Sequence, residues 1–455
     1  MNSLPVAGVE GLLERPPGDF LELRIESMRT QVMTCSTAGM EDFGPFEKTG
    51  ICARVLTDGV WGRSSRSGQD TAVEAASRAA MLSRSPGGRG RASLPRMAPV
   101  RGSFEKPCPE PFASIPDREK AFLCRRYLDL LASTCRGAAC RVLYSEHIRT
   151  RRVLNSTGTD AAEEELICGF RFEARGGGIV ASRDLSGRSG FEFFRNRETL
   201  VEEVSSEYAS SGELGQVGEG VSRVVLDPEL TGVFVHEVFG HLCEADAHPF
   251  TPALDSILAI GRRVSSSCVS IVDDATHFDL PGSCAYDDEG TPGCRKLLIS
   301  GGVMKSRLHS LETAAASGAD PSGNGRAGDF AHAPSARMTC TFLMPGDESV
   351  DGLLALMSDG LLLEGAVAGS TNMDGFRLSA RRARKVSSGR QGRMLGPCTI
   401  SGRVLDLLLS VEAVADDLAL FSGTGGCTRP GQMTLPVSYG GPHALLGMVR
   451  VRAGS

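Results

Sequence analysis

The stretch SRVVLDPELTGVFVHEVFGHLCEAD, residues 222–246, decides how this chain is read. Its opening, Ser222–Leu226, has the apolar β-branched chemistry of a strand. Asp227-Pro228 then supplies a helix N-cap and a proline at the first helical position. The helix that follows carries His236-Glu237-Val238-Phe239-Gly240-His241. At ~100° per residue, Val235, Val238, Phe239 and Leu242 gather on one arc, opposite the midpoint of the two histidines. Packing that arc inward leaves both imidazoles facing a cavity, with Phe234 the exception, falling close to His241.

Histidines at i and i+4 stack on one helical face, but these stand at i and i+5, ~140° apart on a regular helix. A shared metal therefore requires the helix to end, widen or distort between them, and Gly240 permits this. Two neutral imidazoles and one anionic ligand hold zinc and leave a fourth position for water. The ion lowers that water's pKa, and an adjacent carboxylate takes its proton as it attacks a carbonyl. Glu237 is the natural general base. The plainer alternative is a helix with two hydrogen-bonded histidines and a surface glutamate. The third ligand is open. Glu244, Asp246, His248 and Cys243 lie nearby, and a distant thiolate is the other source. Cys427, in SGTGGC (422–427), is the strongest candidate because three glycines let its backbone approach a ligand closely; the alternative is an ordinary buried thiol. That loop lacks the lysine and spacing of a phosphate-binding P-loop.

The rest of the chain sets the frame. Of 455 residues, 41% are apolar and 23% charged, so a sizeable core forms without disulfide staples. A net charge of −6 argues against a nucleic-acid footprint over the whole chain. The 55 glycines, about 12% against a typical ~7%, point to many strands, turns and close backbone approaches. Fourteen scattered cysteines without C-x-x-C, no secretory signal and no 18-residue apolar run together predict a cytoplasmic protein with reduced thiols and no membrane span.

Residues 1–210 read as one mixed α+β domain. Ile51–Trp61 has strand chemistry around the turn dipeptide Asp58-Gly59, Gln69–Leu82 and Arg118–Ser133 have helical spacing, and Arg141–Glu173 suggests antiparallel strands. The arginine-rich 84–101 reads as an exposed loop in preference to a nucleic-acid arm. Four glycines in Ser211–Gly220 mark a linker. Residues 221–455 then form a sheet-rich domain carrying the metal-site helix, with apolar runs at Lys296–Val303, Cys340–Met344, Thr399–Leu409, Leu418–Ser422 and Ala444–Val451. The expected fold class is α+β in two domains.

Several separated segments resemble the TldD/PmbA family of metalloproteases, specifically its metal-bearing TldD-type subunit. They are Val224–Asp246, Asp287–Gly293 (DDEGTPG), Ser322–Arg326 (SGNGR) with Arg337-Met338-Thr339, Cys427–Pro442 (CTRPGQMTLPVSYGGP), and Gly50–Gly62 followed by Thr71–Leu82. The resemblance implies that His236, His241 and Cys427 bind one zinc per active site and that Glu237 is the general base. It implies a two-domain subunit whose dimer, with itself or with a paralogous PmbA/TldE-like partner, encloses a chamber. It also implies peptidase action on small or unfolded peptides, including leader segments of precursor peptides in biosynthetic pathways. Departures are Leu242 and Cys243 where a glycine follows the second histidine, Ala245 in place of the glycine of Glu-Gly-Asp, and a divergent stretch, 365–402, with the basic run Arg377–Lys385.

Further residues invite roles. Asn324 and Arg326 either hold a substrate carbonyl or carboxylate, Arg through its planar donors, or belong to the turn that Gly323-Asn324-Gly325 favours. His332 either orients a reacting group or is a buried hydrogen-bonded histidine. Asp287, Asp288 and Glu289 read as a solvated acidic turn, with a shared cation the alternative. The rival to a peptidase is a non-catalytic peptide-binding or regulatory subunit, which the intact motif argues against. A structural zinc would need four protein ligands.

Overall fold

Alternation along Leu21-Glu22-Leu23-Arg24-Ile25-Glu26 sets the layering of the N-terminal half in the computed structural model, which describes residues 4, 8–68, 71–84, 92–246, 256–372, 375–429 and 431–454. Successive side chains of a strand point to opposite faces. Leu21, Leu23 and Ile25 join Ile51, Ala53, Val55 and the alanine face of a helix in one apolar cluster. Glu22, Arg24 and Glu26, equally buried, face the C-terminal half.

After the short helix α1 (Glu10–Glu14), this half is built on one seven-stranded sheet of β1 (Phe20–Ser36), β2 (Gly39–Thr57), β3 (Val60–Ser67), β4 (Arg101–Glu105), β5 (Ala139–Asn155), β6 (Asp160–Gly176) and β7 (Ile179–Gly187). The spatial order is β3-β2-β1-β5-β6-β4, with β7 also on β6. All pairings are antiparallel except β4 with β6. The expected turn is present, with Asp58 and Gly59 both at positive φ between β2 and β3, as a tight two-residue hairpin requires. Helices α2 (Ala72–Ser83), α3 (Asp117–Thr134) and α4 (Glu198–Ser210) cover the sheet, with Tyr127 of α3 packed among Tyr144, Phe170 and Phe194. Residues 85–91 of the arginine-rich loop lie outside the described residues.

The C-terminal half begins with β8 (Gly220–Leu226). β8 pairs in parallel with strand Gly360–Asn372 and antiparallel with Ala444–Ala453. Through Cys398–Arg403 and Gly375–Ser387 the pairing returns to Gly360–Asn372, so five strands close into a ring. Closure removes the exposed edges of an open sheet. A six-stranded sheet, including Ile271–Asp274, Cys340–Leu343 and Ser438–Gly441, stands beside it. Helix α5 (Pro228–Val235) packs between the ring and that sheet. The fold is therefore α+β, as expected, with two corrections. The run 399–409 is not one strand, because Val404–Leu409 is a helix that buries Val404, Leu407 and Leu408. The longest hairpin of this half, Gly360–Asn372 with Gly375–Ser387, falls among the expected runs nowhere, since Gly and Arg interrupt its apolar alternation.

Between the halves the acidic run is buried, not solvated. Asp288 receives Arg149 Nη2 at 2.7 Å and Arg151 Nη1 at 2.5 Å, Glu289 is paired with Arg54, and Asp287 accepts three backbone N–H groups. Burial alone would raise Asp288, but Arg149, Arg151 and Arg24 hold it far below the usual carboxylate range. The reading as an exposed acidic turn fails because β1, β2 and β5 present a matching row of guanidinium groups.

Candidate metal centre

Asp227 caps α5 as its sequence demands, its side chain accepting from Leu230 N at 2.8 Å. The helix continues without a break into a π-helical turn, His236–Gly240, and then into a last turn, α6 (His241–Cys243). The amide of His241 bonds to the carbonyl of His236, an i→i+5 link. This link sets residue 241 over residue 236, as an ordinary turn would set i+4 over i. The two rings lie with centroids 5.0 Å apart at 80°. Gly240 serves this turn differently from expectation. Its backbone is ordinary helix, φ −53° and ψ −50°, but a Cβ there would sit 2.0 Å from Met338 Sδ. Its smallness lets the turn rest on Met338. The same widening, with Phe376 packed edge-on at 5.8 Å, buries Phe234 alongside Val235, Val238 and Phe239.

Cys427 arrives from the other end of the chain. Gly426, at φ +71°, turns the loop so that Cys427 exchanges backbone hydrogen bonds with Leu435 at 2.8 and 2.9 Å. Upstream, Asp184 of β7 accepts from Thr424 N and Oγ1 at 2.9 and 3.0 Å, so the N-terminal half pins the loop. The result is convergence. One donor atom each from His236, His241 and Cys427 lies within 4.8 Å of the others, with Cys427 Sγ 3.5 Å from His241 Nε2. They are the one such group of three among the described residues. Burial pushes the Cys427 thiol up, but the two imidazoles outweigh it and bring it down to about 5. Burial likewise opposes a charged His241, yet Glu244 and Cys427 raise it to about 10.

The donor set fits zinc: two imidazoles, one sulfur biased to thiolate, and no fourth protein ligand among the described residues. His236 Nδ1 is also buried without a hydrogen-bond partner among them. That is a costly state for a polar nitrogen unless something else engages it. Glu237 and His241 line a cavity of about 620 Å³, with Val367, Thr371 and Tyr439 among its other walls. The Glu237 carbonyl accepts from Thr371 Oγ1 at 2.6 Å, while its carboxylate makes no hydrogen bond among the described residues.

The other candidates are placed elsewhere. Glu244 is fully buried and meets His241 Nδ1 at 3.1 Å, an outer support for a ligand. Asp246 is tied to Arg429, and Cys243 is sealed in the core, where burial raises its thiol. His248 lies outside the described residues. Asn324, fully buried, is consumed by Asp273, Ser322 and the Arg337 carbonyl. Arg326 donates to the carbonyls of Met338 and Pro436 and borders a neighbouring cavity of about 300 Å³ behind the glycine loop. His332 is not buried. It is 39% exposed and bonded to Asp329 at 2.5 Å, near the seam with β1 and β2. None of these last three lines the cavity beside His236. The sequence analysis gave Arg337, Arg429, Asp184 and Tyr439 no role at the site, although Arg337, Arg429 and Tyr439 lie in the family-like segments and only Asp184 carried no signal.

Residues 110–211 match the PmbA/TldA metallopeptidase central domain, and residues 219–453 match the PmbA/TldA metallopeptidase C-terminal domain. A metalloprotease of Synechocystis sp. is 32% identical over 93% of this chain and 92% of its own. One of Methanothermobacter thermautotrophicus is 30% identical over 95% and 94%. A zinc metalloprotease TldD homolog of Saccharolobus solfataricus is 31% identical over 51% and 52%. In solved structures the fold matches TldE from Thermococcus kodakarensis, with a TM-score of 0.74, 17% identity and coverage of 96% and 97%. With both domain models matched in order and relatives aligned along nearly the whole length, the chain belongs to the PmbA/TldD family of metallopeptidases.

Proposed function

We propose that this chain is a metal-bearing, TldD-type member that hydrolyses peptide bonds, with zinc held by His236, His241 and Cys427 and with Glu237 as general base. The convergence of those three donors beside an unpartnered glutamate on one cavity carries the reading. When bound, zinc supplies Lewis acidity, polarising a carbonyl and making water a better nucleophile at neutral pH. Glu237 takes a proton from the attacking water on its free carboxylate and passes it to the leaving amine. The bond from Thr371 to the Glu237 carbonyl holds that stretch of the helix against the wall strand. β8 pairs with the wall strand only along Leu361–Leu363. Beyond this, Val367–Thr371 border the cavity and offer backbone groups to an extended peptide, which favours low sequence preference.

The substrates in this reading are small or unfolded peptides, leader segments among them, and a second copy or a TldE-like paralogue completes a chamber in the cytoplasm. Among the described residues no helix is long and apolar enough to cross a membrane. Asn324, Arg326 and His332 act as framework. The test is Glu237→Gln, assayed for zinc and for cleavage of an unstructured peptide, alone and with a co-expressed paralogue. Zinc is retained and cleavage falls by about 10²–10⁴-fold. Unchanged cleavage overturns the mechanism, and absence of cleavage in the wild type under both conditions favours a non-catalytic subunit.

A further inference from the structure

Arg337 is 1% exposed, and the chemistry above makes no use of it. Its Nη2 donates to the Cys427 carbonyl at 2.8 Å and to Cys427 Sγ at 3.2 Å. Its Nη1 donates to Gln432 Oε1 at 2.7 Å, and its Nε lies 3.5 Å from Glu244 Oε1, an ion pair without a hydrogen bond. The other oxygen of Glu244 meets His241 Nδ1 at 3.1 Å and Arg429 Nη1 at 3.2 Å. One guanidinium therefore touches the sulfur of one candidate ligand and, through a single carboxylate, the ring of another.

A guanidinium presents its N–H groups in a rigid planar fork, so the bonds to the Cys427 sulfur and carbonyl and to Gln432 fix where its charge stands beside Glu244. With Glu244 at Nδ1, the His241 ring is oriented with Nε2 toward the sulfur, 3.5 Å away. The N–H···S contact also withdraws electron density from the sulfur. We propose that Arg337 is the positioning residue of the metal centre, holding Cys427 and the Glu244–His241 pair in one geometry and tuning the sulfur as a donor. This rests on the metal reading above.

Cobalt(II), titrated into the metal-free full-length protein, provides the test. Wild type should show a thiolate-to-cobalt charge-transfer band that Cys427→Ser abolishes. In Arg337→Gln, cobalt and zinc affinity should fall by about 10–100-fold, and the band should move to lower energy as the sulfur loses its donor. Arg337→Lys keeps a buried charge beside Glu244, yet one ammonium cannot span sulfur, carbonyl and carboxylate. It should therefore show the same band shift with wild-type circular dichroism, and it carries the test if the glutamine variant fails to fold. Glu244→Gln should lower affinity and leave the band in place. An unmoved band with affinity within twofold in the lysine variant overturns the inference alone, as does an equal band shift in Glu244→Gln. Absence of the band in wild type overturns the metal reading and this inference with it.

Discussion

Asp287, Asp288 and Glu289 in one place, and His236, His241 and Cys427 in another, each gather metal-capable donors in the interior, but among different neighbours. All six carboxylate oxygens of the acidic run are engaged. Asp287 takes the amides of Glu289, Thr291 and Gly325. Asp288 takes Arg149, Arg151 and the amide of Ala327. Glu289 takes Arg54 and the amide of Leu311. No oxygen is left for a cation. At the histidine cluster the balance differs, because His236 Nδ1 has no partner among the described residues and the sulfur is met by Arg337 and the two imidazoles alone. The candidate metal site is thus marked less by acidic or histidine content than by a buried donor, His236 Nδ1, without a partner among the described residues. The acidic run does a different job, joining the two halves through buried ion pairs.

Two substitutions should separate these roles most sharply. Cys427→Ser removes one of three donors, so bound zinc should fall to background by metal analysis, with cleavage lost and the fold retained. Asp288→Ala leaves Arg149 and Arg151 buried without their shared partner, a loss expected to cost about 3–5 kcal/mol in chemical denaturation. Its folded fraction should still bind zinc. The comparison breaks if Asp288→Ala releases zinc without loss of stability, or if Cys427→Ser unfolds the protein as deeply.

The difference between the regions also explains what could be read in advance. The strand, cap, helix and paired histidines of 222–246 are local features, fixed by spacing and capping chemistry, and they appear where expected. So do the Asp58-Gly59 hairpin and helices α2 and α3. Even the irregular turn follows from the i, i+5 spacing, although Gly240 serves it by yielding space to Met338 and not by adopting an unusual backbone. The environment of the acidic run was illegible because Arg54, Arg149 and Arg151 reach it across more than a hundred residues of chain. Arg337 and Asp184 escaped for the same reason. Asn324 looked available because a glycine-flanked asparagine signals a turn in sequence, while Asp273, which consumes its amide, comes from a distant strand.

Smaller effects are expected at the walls of each region. Gly369 lies where a Cβ would stand 2.6 Å from Val233 Cγ1 and 2.7 Å from Glu237 Cγ. Gly369→Ala must therefore displace Glu237, the proposed general base, or the strand beside it. Peptide cleavage should fall about tenfold or more, with zinc retained and stability lowered by about 1–3 kcal/mol. Unaltered cleavage would mean that hydrolysis does not depend on the fixed position of Glu237.

The smallest effect belongs to the other end of the seam, where Asp329 pairs with Lys48 of β2 and with His332. Burial opposes its charge, but those two partners bring it down to about 2. The ordinary carboxylate value is ~3.9, so the folded state favours the ionised form. Its contribution to stability is therefore complete above about pH 4 and disappears as pH falls toward 2. Lys48 is 26% exposed and His332 39%, so solvent screens the cluster, and Asp329→Asn should cost under about 1 kcal/mol at neutral pH. The gap between wild type and variant in urea unfolding should narrow steadily below pH 4. A gap that stays constant down to pH 2 would mean that the charge of Asp329 contributes nothing and that its hydrogen bonds alone fasten the 329–332 turn to the N-terminal sheet.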